Sequence, residues 1–322
     1  MTIKPKVLIS RCLTFDNCRY DGGIINSEFI KQLKPFIDFE TICPEVEIGL
    51  SVPRKWLSLI IKKDGKNRIY QKSTETDFTD EMVDYADKLF KKHRDSVDGF
   101  ILKERSPSCG ISNVKYYSSE TSKISSGKDK GVFGKKVLEE FENYPIINEG
   151  RLRNFTLRER FLTKLFTFAR FKKVIKNNKM KNLIKFHSDH KYLLQSFNEE
   201  KMRQLGSIAA NHEKKETKKV INNYYEVLKE VFNETQSEGK NINILQHCFG
   251  FVSEYLTKEQ REHFLDTLKH YRNNKYPLSV LQKMLESWII EHNIDYLKNQ
   301  YYFKPYPLDL MTIKDSGKGR DY

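Results

Sequence analysis

Three short apolar runs in the first third of the chain each end just before a cysteine. They are residues 6–9 before Cys12, residues 39–42 before Cys43 and residues 99–102 before Cys109. Short apolar runs are typical of parallel strands, whose carboxyl ends meet at one edge of a sheet. Ligands of open α/β sheets bind along that edge. The pattern therefore predicts that three thiols distant in sequence converge on one site.

The same region alternates strand and helix signals up to about residue 150. This alternation predicts an α/β domain with a Rossmann-like, doubly wound parallel sheet over residues 1–150. Residues 56–72 favour a hairpin that turns at Asp64-Gly65. The polar stretch over residues 118–130 is expected to be a mobile loop.

From about residue 151 the signals change to helix throughout, which predicts an all-α C-terminal domain. Candidate helices cover residues 156–177, 181–196, 198–235, 242–256, 258–273 and 279–298. We predict a catalytic domain over 1–150, a basic helical connector over 151–185 and an all-helical, RNA-binding domain over 186–322. Within the last of these, residues 315–322 are expected to form a disordered tail.

The net charge of +14 lies almost entirely in the connector, residues 151–185. That segment holds twelve basic side chains and one acidic side chain. Concentrated positive charge binds polyanions by releasing their counterions, so we expect RNA binding here. The expected contacts are Arg151, Arg153, Arg158, Arg160, Lys172, Lys173 and Lys176. The alternative is a solvated linker helix with a basic bias, whose interleaved phenylalanines form its buried face.

Cysteine usage indicates the expected compartment. The chain has five cysteines, an odd number, and starts without a recognisable export signal. It holds no apolar run approaching the roughly 18 residues that a membrane-spanning helix needs. We therefore expect a reducing cytoplasm, with metal or thiol chemistry in place of a disulfide framework.

From the residues alone, the three strand-end cysteines favour a metal or cluster site over three structural thiols. A zinc ribbon is disfavoured because the cysteines form no local C-x-x-C pair. Thiolates suit zinc, copper(I) or an iron–sulfur cluster, and the choice among these stays open. Cys18 is a fourth candidate ligand, whereas Cys248 in the helical half is expected to be part of the core.

Side chains beside these cysteines supply candidate catalytic groups. Glu45 lies two residues after Cys43, and Ser106 and Ser108 precede Cys109. A carboxylate can transfer protons, and backbone N–H groups of a Ser-Pro-Ser-Cys-Gly loop can stabilise cluster sulfur or a developing anion. The alternative is ordinary turn chemistry, since serine, proline and glycine are common in turns.

Four stretches together resemble the bacterial thiouracil desulfidase family. They are Ser10-x-Cys12-Leu13, Asn17-Cys18-Arg19-Tyr20-Asp21-Gly22, Cys43-Pro44-Glu45 with Gly49-Leu50-x-x-Pro53-Arg54, and Gly99-Phe100-Ile101-Leu102-Lys103-x-x-Ser106-Pro107-Ser108-Cys109-Gly110. The helical half resembles the YbgA-like domain often fused after that domain, through Phe186-His187-x-x-His190-Lys191 and Tyr302-x-x-Pro305-x-Pro307. We interpret the two histidines of that motif as packing or RNA-contacting residues in preference to metal ligands. The fusion resembles desulfidases that convert 4-thiouridine in tRNA to uridine.

The resemblance implies an enzyme with a [4Fe-4S] cluster held by Cys12, Cys43 and Cys109, with one iron open. It implies Glu45 and a serine of the last motif as catalytic residues, with Ser106 preferred to Ser108. It also implies tRNA as the partner and a non-redox removal of sulfur that gives uridine and hydrosulfide. The alternatives are a desulfidase of free thiouracil or thio-nucleosides, and a non-catalytic, cluster-containing RNA-binding protein.

Overall fold

The computed structural model describes residues 3–312, which divide into two compact units. The first unit holds the chain up to Ala169 together with the chain from Pro307 onward, and the second holds Arg170–Tyr306. The strands are β1 (Lys6–Ser10), β2 (Asp38–Ile42), β3 (Ser58–Ile61), β4 (Asn67–Gln71), β5 (Thr76–Asp77), β6 (Gly99–Leu102), β7 (Val114–Tyr117), β8 (Gly127–Asp129) and β9 (Ile146–Asn148). The helices are α1 (Glu28–Leu33), α2 (Pro44–Glu47), α3 (Thr79–His93), α4 (Val132–Glu140), α5 (Phe155–Asn177), α6 (Met180–Phe197), α7 (Glu199–Ala210), α8 (Thr217–Val231), α9 (Glu238–Val252), α10 (Lys258–Arg272), α11 (Leu278–Glu291) and α12 (Asp295–Lys298).

The first unit contains a four-stranded parallel sheet in the order β2-β1-β6-β9. Strand β6 is buried along its whole length and β1 along nearly all of it, as expected of parallel strands covered on both faces. The predicted α/β class with a parallel sheet is therefore confirmed. Strands β2, β1 and β6, which precede the three cysteines, are neighbours, so their carboxyl ends lie side by side.

A second, mixed sheet in the order β5-β4-β3-β7-β8 was not anticipated from the sequence. Its β3–β4 hairpin confirms the predicted turn, where Gly65 has a φ of +70°. The expectation of a mobile loop over 118–130 is wrong at its end, because β8 pairs antiparallel with β7. The residues of β8, Gly-Lys-Asp, have little strand propensity, so pairing with β7 determines their conformation.

One hydrophobic core connects the elements of the first unit. It takes apolar side chains from both sheets and from helices α3 and α4. Phe141 at the end of α4 packs against Phe90 of α3, with ring centroids 5.2 Å apart, and against Phe100 of β6 at 4.7 Å. Large aromatic groups in such contacts bury much apolar area, which joins α3 and the end of α4 to strand β6.

The second unit is helical throughout, which confirms the predicted all-α character. A single helix over 198–235 is wrong, because Asn211 adopts a left-handed φ of +44° and ends α7 before α8 begins. Helix α5 spans the boundary between the units, inside the predicted connector. Its buried face includes Phe161, Phe166, Phe168 and Phe171, as expected for the interleaved phenylalanines. Across residues 3–312 no helix is long and apolar enough to cross a membrane, and the predicted tail at 315–322 lies outside the described residues.

Candidate active site

The three strand ends that carry the cysteines open into one cavity of about 400 Å³. Cys12 follows β1, Cys43 follows β2, Cys109 lies in the loop after β6, and all three line this cavity, which we call the thiol cavity. Cys18 lines it too. The thiols therefore converge as the strand pattern predicts, while their role as cluster ligands stays a prediction.

Contacts among the thiols put Cys18 between Cys12 and Cys43. The hydrogen bond with Cys12 is the main reason that the pKa of Cys18 rises to about 11. The hydrogen bond with Cys18, followed by burial, raises the pKa of Cys43 well above its usual range. Burial raises the pKa of Cys109, and a hydrogen bond with Ser10 acts against that rise. A metal centre that binds such thiols displaces their protons.

The donor set fits a polynuclear cluster better than a single ion. Within residues 3–312 no group of three or more His, Cys, Asp or Glu side chains is close enough to hold one metal ion. A zinc ion needs ligand atoms about 2.0–2.3 Å away on every side, whereas a cluster separates its thiolate ligands by its own width. Four soft sulfur donors around one cavity match the ligands that iron–sulfur clusters use. The residues therefore fit the cluster that the family resemblance implies.

The loop Ser106–Gly110 is held from both sides. The Ser106 hydroxyl accepts hydrogen bonds from the backbone N–H groups of Ser108 at 3.2 Å and Cys109 at 3.1 Å. On the other side, the N–H of Gly134 in α4 donates to the Ser108 carbonyl at 2.9 Å. A Cβ at Gly134 would lie 2.5 Å from the carbonyl oxygen of Gly110, so only glycine allows this approach. These contacts fix the position of Cys109.

Glu45 is fully engaged at the wall of the thiol cavity. Its Oε2 accepts hydrogen bonds from Nε and Nη2 of Arg54 at 2.8 and 2.5 Å. Its Oε1 accepts from the Ser108 hydroxyl at 2.6 Å. The side chains of Arg54 and Glu45 are only 5% and 13% exposed, so this is a buried ion pair with its hydrogen bonds satisfied.

The two candidate serines therefore occupy different places. Ser108 is fully buried and contacts Glu45, whereas Ser106 lines the thiol cavity. Among the described residues, the Ser106 hydroxyl acts only as an acceptor, which leaves its proton able to point to a ligand. Ser108 is therefore placed to position Glu45, and Ser106 is placed to contact a ligand. A catalytic role for either serine stays a prediction.

The sequence reasoning gave no role to the four cationic side chains that line this cavity, which are Arg19, Arg54, Lys103 and Arg105. Arg54 contacts Glu45 as described above. Lys103 follows directly after β6, and its ammonium group donates to the carboxylate of Glu149 and, at 2.7 Å, to the carbonyl oxygen of Glu104. Arg54 and Lys103 both stand in the stretches that resemble the family, and Lys103 lies at the same sheet edge as the cysteines.

The predicted RNA-binding residues differ in exposure. Arg153, Lys173 and Lys176 are exposed, and Arg151, Arg160 and Lys172 are partly buried. Arg158 is 3% exposed and donates to the carbonyl oxygens of Leu152 and Thr312, so its contacts are structural.

The remaining sequence candidates lie in the helical unit. His187 contacts the Tyr224 hydroxyl at 3.0 Å, and His190 stacks on Phe186 with ring centroids 3.9 Å apart. These contacts are those of packing residues. Cys248 is fully buried, as predicted for a core residue.

Comparison with known proteins matches both halves of the chain. Residues 7–149 match the family described as 2-thiouracil desulfurase, and residues 191–307 match a family described as a protein of unknown function (DUF1722). An uncharacterised protein of Bacillus subtilis (strain 168), YbbK, is 34% identical over 110 residues, which are 32% of this chain and 72% of that protein. A solved structure described as a [4Fe-4S]-dependent thiouracil desulfidase, TudS, is 24% identical with a TM-score of 0.36, over 46% of this chain and 93% of that chain.

Proposed function

The chain belongs to the 2-thiouracil desulfurase family through residues 7–149, and we propose that this enzyme removes the sulfur of 4-thiouridine in tRNA. The observation that carries the proposal is one cavity lined by four thiols and by the buried carboxylate of Glu45. In the overall reaction, the oxygen of water replaces sulfur on the ring carbon and sulfur leaves as hydrosulfide. Both protons of water are accounted for, one on the sulfur and one released, so no oxidant or reductant is needed.

Cys12, Cys43 and Cys109 are the residues that would hold a [4Fe-4S] cluster. Bound by three thiolates, the cluster would supply one iron without a protein ligand as a soft Lewis acid for the thiocarbonyl sulfur. Cys18 hydrogen-bonds with two of these cysteines and lines the same cavity, so we assign it an outer position next to the ligands. A reducing cytoplasm is the setting that would preserve such a site.

Glu45 is the proton-accepting group in this proposal. Its carboxylate lies in the wall of the cavity, where it can take a proton from the attacking water. Nε and Nη2 of Arg54 both donate to Oε2, which orients the carboxylate. Ser108, which donates to Oε1, acts as a positioning residue for Glu45.

Ser106 is the serine that we propose contacts the substrate. It lines the cavity, and its Oγ is fixed by two backbone N–H groups. A hydroxyl held in this way can donate to the nitrogen or oxygen of a pyrimidine ring and orient the thiocarbonyl carbon toward the water.

A tRNA substrate is favoured by the charge of the chain. Residues 151–185 carry twelve basic side chains against one acidic side chain, and Arg153, Lys173 and Lys176 are exposed. A free base of neutral charge gains little from such a segment, whereas a polyanion gains counterion release. The target base must leave its stack to enter a cavity, as in other enzymes that act on bases.

The test is desulfuration by protein reconstituted with iron and sulfide without oxygen. We expect wild-type protein to convert 4-thiouridine in native tRNA to uridine, with a rate constant at low substrate that falls steeply with salt. Cys43→Ala should be inactive, and Cys248→Ala, which removes a buried thiol of the helical unit, should keep its activity. Full activity of Cys43→Ala would contradict the proposal.

Free thiouracil is the second candidate substrate, because the matching family is described by that compound. Equal or higher kcat/KM for free 2-thiouracil, without salt dependence, would favour it over tRNA. Salt-sensitive tRNA binding without turnover of either substrate would indicate a cluster-containing RNA-binding protein.

A further inference from the structure

A second cavity of about 520 Å³ adjoins the thiol cavity in the first unit. The two cavities share four lining residues, which are Trp56, Leu57, Arg105 and Pro107. A ligand group that enters the thiol cavity therefore has the second cavity beside it. We call this second cavity the flanking cavity.

Two lysines of the flanking cavity are cross-strand neighbours without an acidic partner among the described residues. Lys115 of β7 and Lys128 of β8 are direct cross-strand partners, both are exposed, and both line the cavity. Among residues 3–312 neither forms an ion pair, since the salt bridges of the first unit involve other side chains. Like charges at directly opposite positions destabilise a strand pair. A bound anion would remove that repulsion.

The flanking cavity also has an aromatic wall and an unpaired hydroxyl. Trp56 is 52% exposed and stands between the two cavities. Ser58 lines the flanking cavity, and although it is only 1% exposed, its Oγ has no hydrogen-bond partner among the described residues. The Ser58 hydroxyl is shielded from solvent, so the aromatic face of Trp56 is the group of this wall that a ligand can reach.

Arg105 stands at the junction of both cavities in an unusual conformation. Its φ of +57° lies in the left-handed region, which is unfavourable for a residue other than glycine. Its side chain is 76% exposed and pairs only loosely with Glu104, at 3.3 Å. Backbone strain of this kind concentrates at functional sites.

We propose that the flanking cavity binds the nucleotide next to the target base of an RNA strand. Its base stacks on Trp56, and its phosphate lies between Lys115 and Lys128. Arg105 contacts the phosphate that joins this nucleotide to the target. An aromatic face combined with cationic side chains is the pattern of single-stranded nucleic-acid sites. This inference rests on the proposed function and identifies its substrate as a polynucleotide.

The first test measures RNA binding by the holoenzyme. The readout is the fluorescence anisotropy of an end-labelled oligouridylate. Lys115→Ala/Lys128→Ala should bind about tenfold more weakly, and its salt slope should fall by about two, one for each phosphate-contacting lysine. Trp56→Ala should also bind about tenfold more weakly, and Trp56→Phe should recover most of the loss because it keeps a stacking face. Lys63→Ala, which removes an exposed lysine of the β3–β4 turn, is the matched control and should bind like wild type.

The second test compares substrates in turnover. The double lysine variant should lose at least fivefold more kcat/KM with 4-thiouridine tRNA than with free 4-thiouridine. If the double lysine variant binds RNA with wild-type affinity and salt slope, the inference is overturned. It is also overturned if the variant loses binding to polyglutamate, a polyanion without bases, but keeps its binding to RNA. If wild-type enzyme converts tRNA and the variants match it, the flanking site fails and the proposed function stands. If wild-type enzyme binds RNA through this site but leaves 4-thiouridine intact, the proposed function fails and the site stands.

Discussion

At the scale of single residues, the site depends on one carboxylate that is held from two sides. Arg54 contacts one oxygen of Glu45, and Ser108 contacts the other. Both members of the ion pair are buried, so removal of either one leaves an uncompensated buried charge. The carboxylate is thereby fixed in orientation before a substrate arrives, which is the condition for efficient proton transfer.

Glu45→Gln should abolish most turnover while the cluster still assembles. Loss of a proton-transfer group lowers kcat by about 10²–10⁴-fold, and the amide keeps the size of the side chain. Visible absorption of the reconstituted protein measures the cluster, and a desulfuration assay measures kcat. Glu47→Gln is the control on the same short helix, since Glu47 pairs with Arg11 outside the cavity wall. Near-normal activity of Glu45→Gln would remove Glu45 from the chemistry.

Arg54→Met should destabilise the first unit more than a surface substitution does. It leaves the Glu45 carboxylate buried without its cation, at a cost of about 3–5 kcal/mol. Denaturant unfolding of the first unit measures the change. The double variant Arg54→Met/Glu45→Gln should recover much of the loss, because the buried charge is then gone. No recovery would mean that packing of the Arg54 side chain, and not its charge, carries the stability.

At the scale of elements, the sequence predicted the strands that have a local pattern. It did not predict the elements that form only by pairing between distant segments. The apolar runs before Cys12 and Cys109 identify β1 and β6 correctly because burial on both faces leaves a local trace. The run before Cys43 also identifies a strand, although β2 is only partly buried. Strand β8 has no such pattern in the sequence, because its strand conformation depends on pairing with β7. The separate tasks of Ser106 and Ser108 depend on Glu45, which lies about 60 residues earlier, so spacing within the loop could not assign them.

Gly134→Ala should impair the site through the backbone of one loop. Its Cβ would lie 2.5 Å from the Gly110 carbonyl and 2.7 Å from the Cys109 carbonyl, so the loop or α4 must shift. We expect lower thermal stability and less iron bound per protein. Gly239→Ala in α9 is the control, because its Cβ would meet nothing within 4 Å, and alanine favours helix. Normal iron content in Gly134→Ala would show that the loop tolerates the shift.

The helical unit should lose stability in acid through His187. Burial, with a smaller effect of Lys191, lowers the pKa of His187 to about 4 in the folded chain. An unfolded histidine has a pKa near 6.5 and binds the proton first, so stability is full above about pH 6.5 and falls as the pH drops toward 4. We expect about 1–3 kcal/mol from this residue, measured by urea unfolding at several pH values. In His187→Gln the pH slope should be shallower, and an unchanged slope would contradict this assignment.

At the scale of the whole molecule, the chain joins a desulfidase domain to a helical region through its most basic segment. The parallel sheet brings the cysteines and Glu45 to one edge. The second sheet supplies Lys115 and Lys128, and the segment before β3 supplies Trp56 beside it. In the proposed function, the basic charge on 151–185 adds affinity for an RNA substrate.

The central claim is cluster-dependent, hydrolytic desulfuration of 4-thiouridine in tRNA. The most direct measurement is nucleoside mass spectrometry of native tRNA after reaction without oxygen or reductant, in water labelled with oxygen-18. Wild-type protein should give uridine that carries one heavy oxygen, with one hydrosulfide released per uridine, and Cys43→Ala should leave 4-thiouridine intact. Unlabelled uridine, a requirement for a reductant or an active Cys43→Ala would contradict the account.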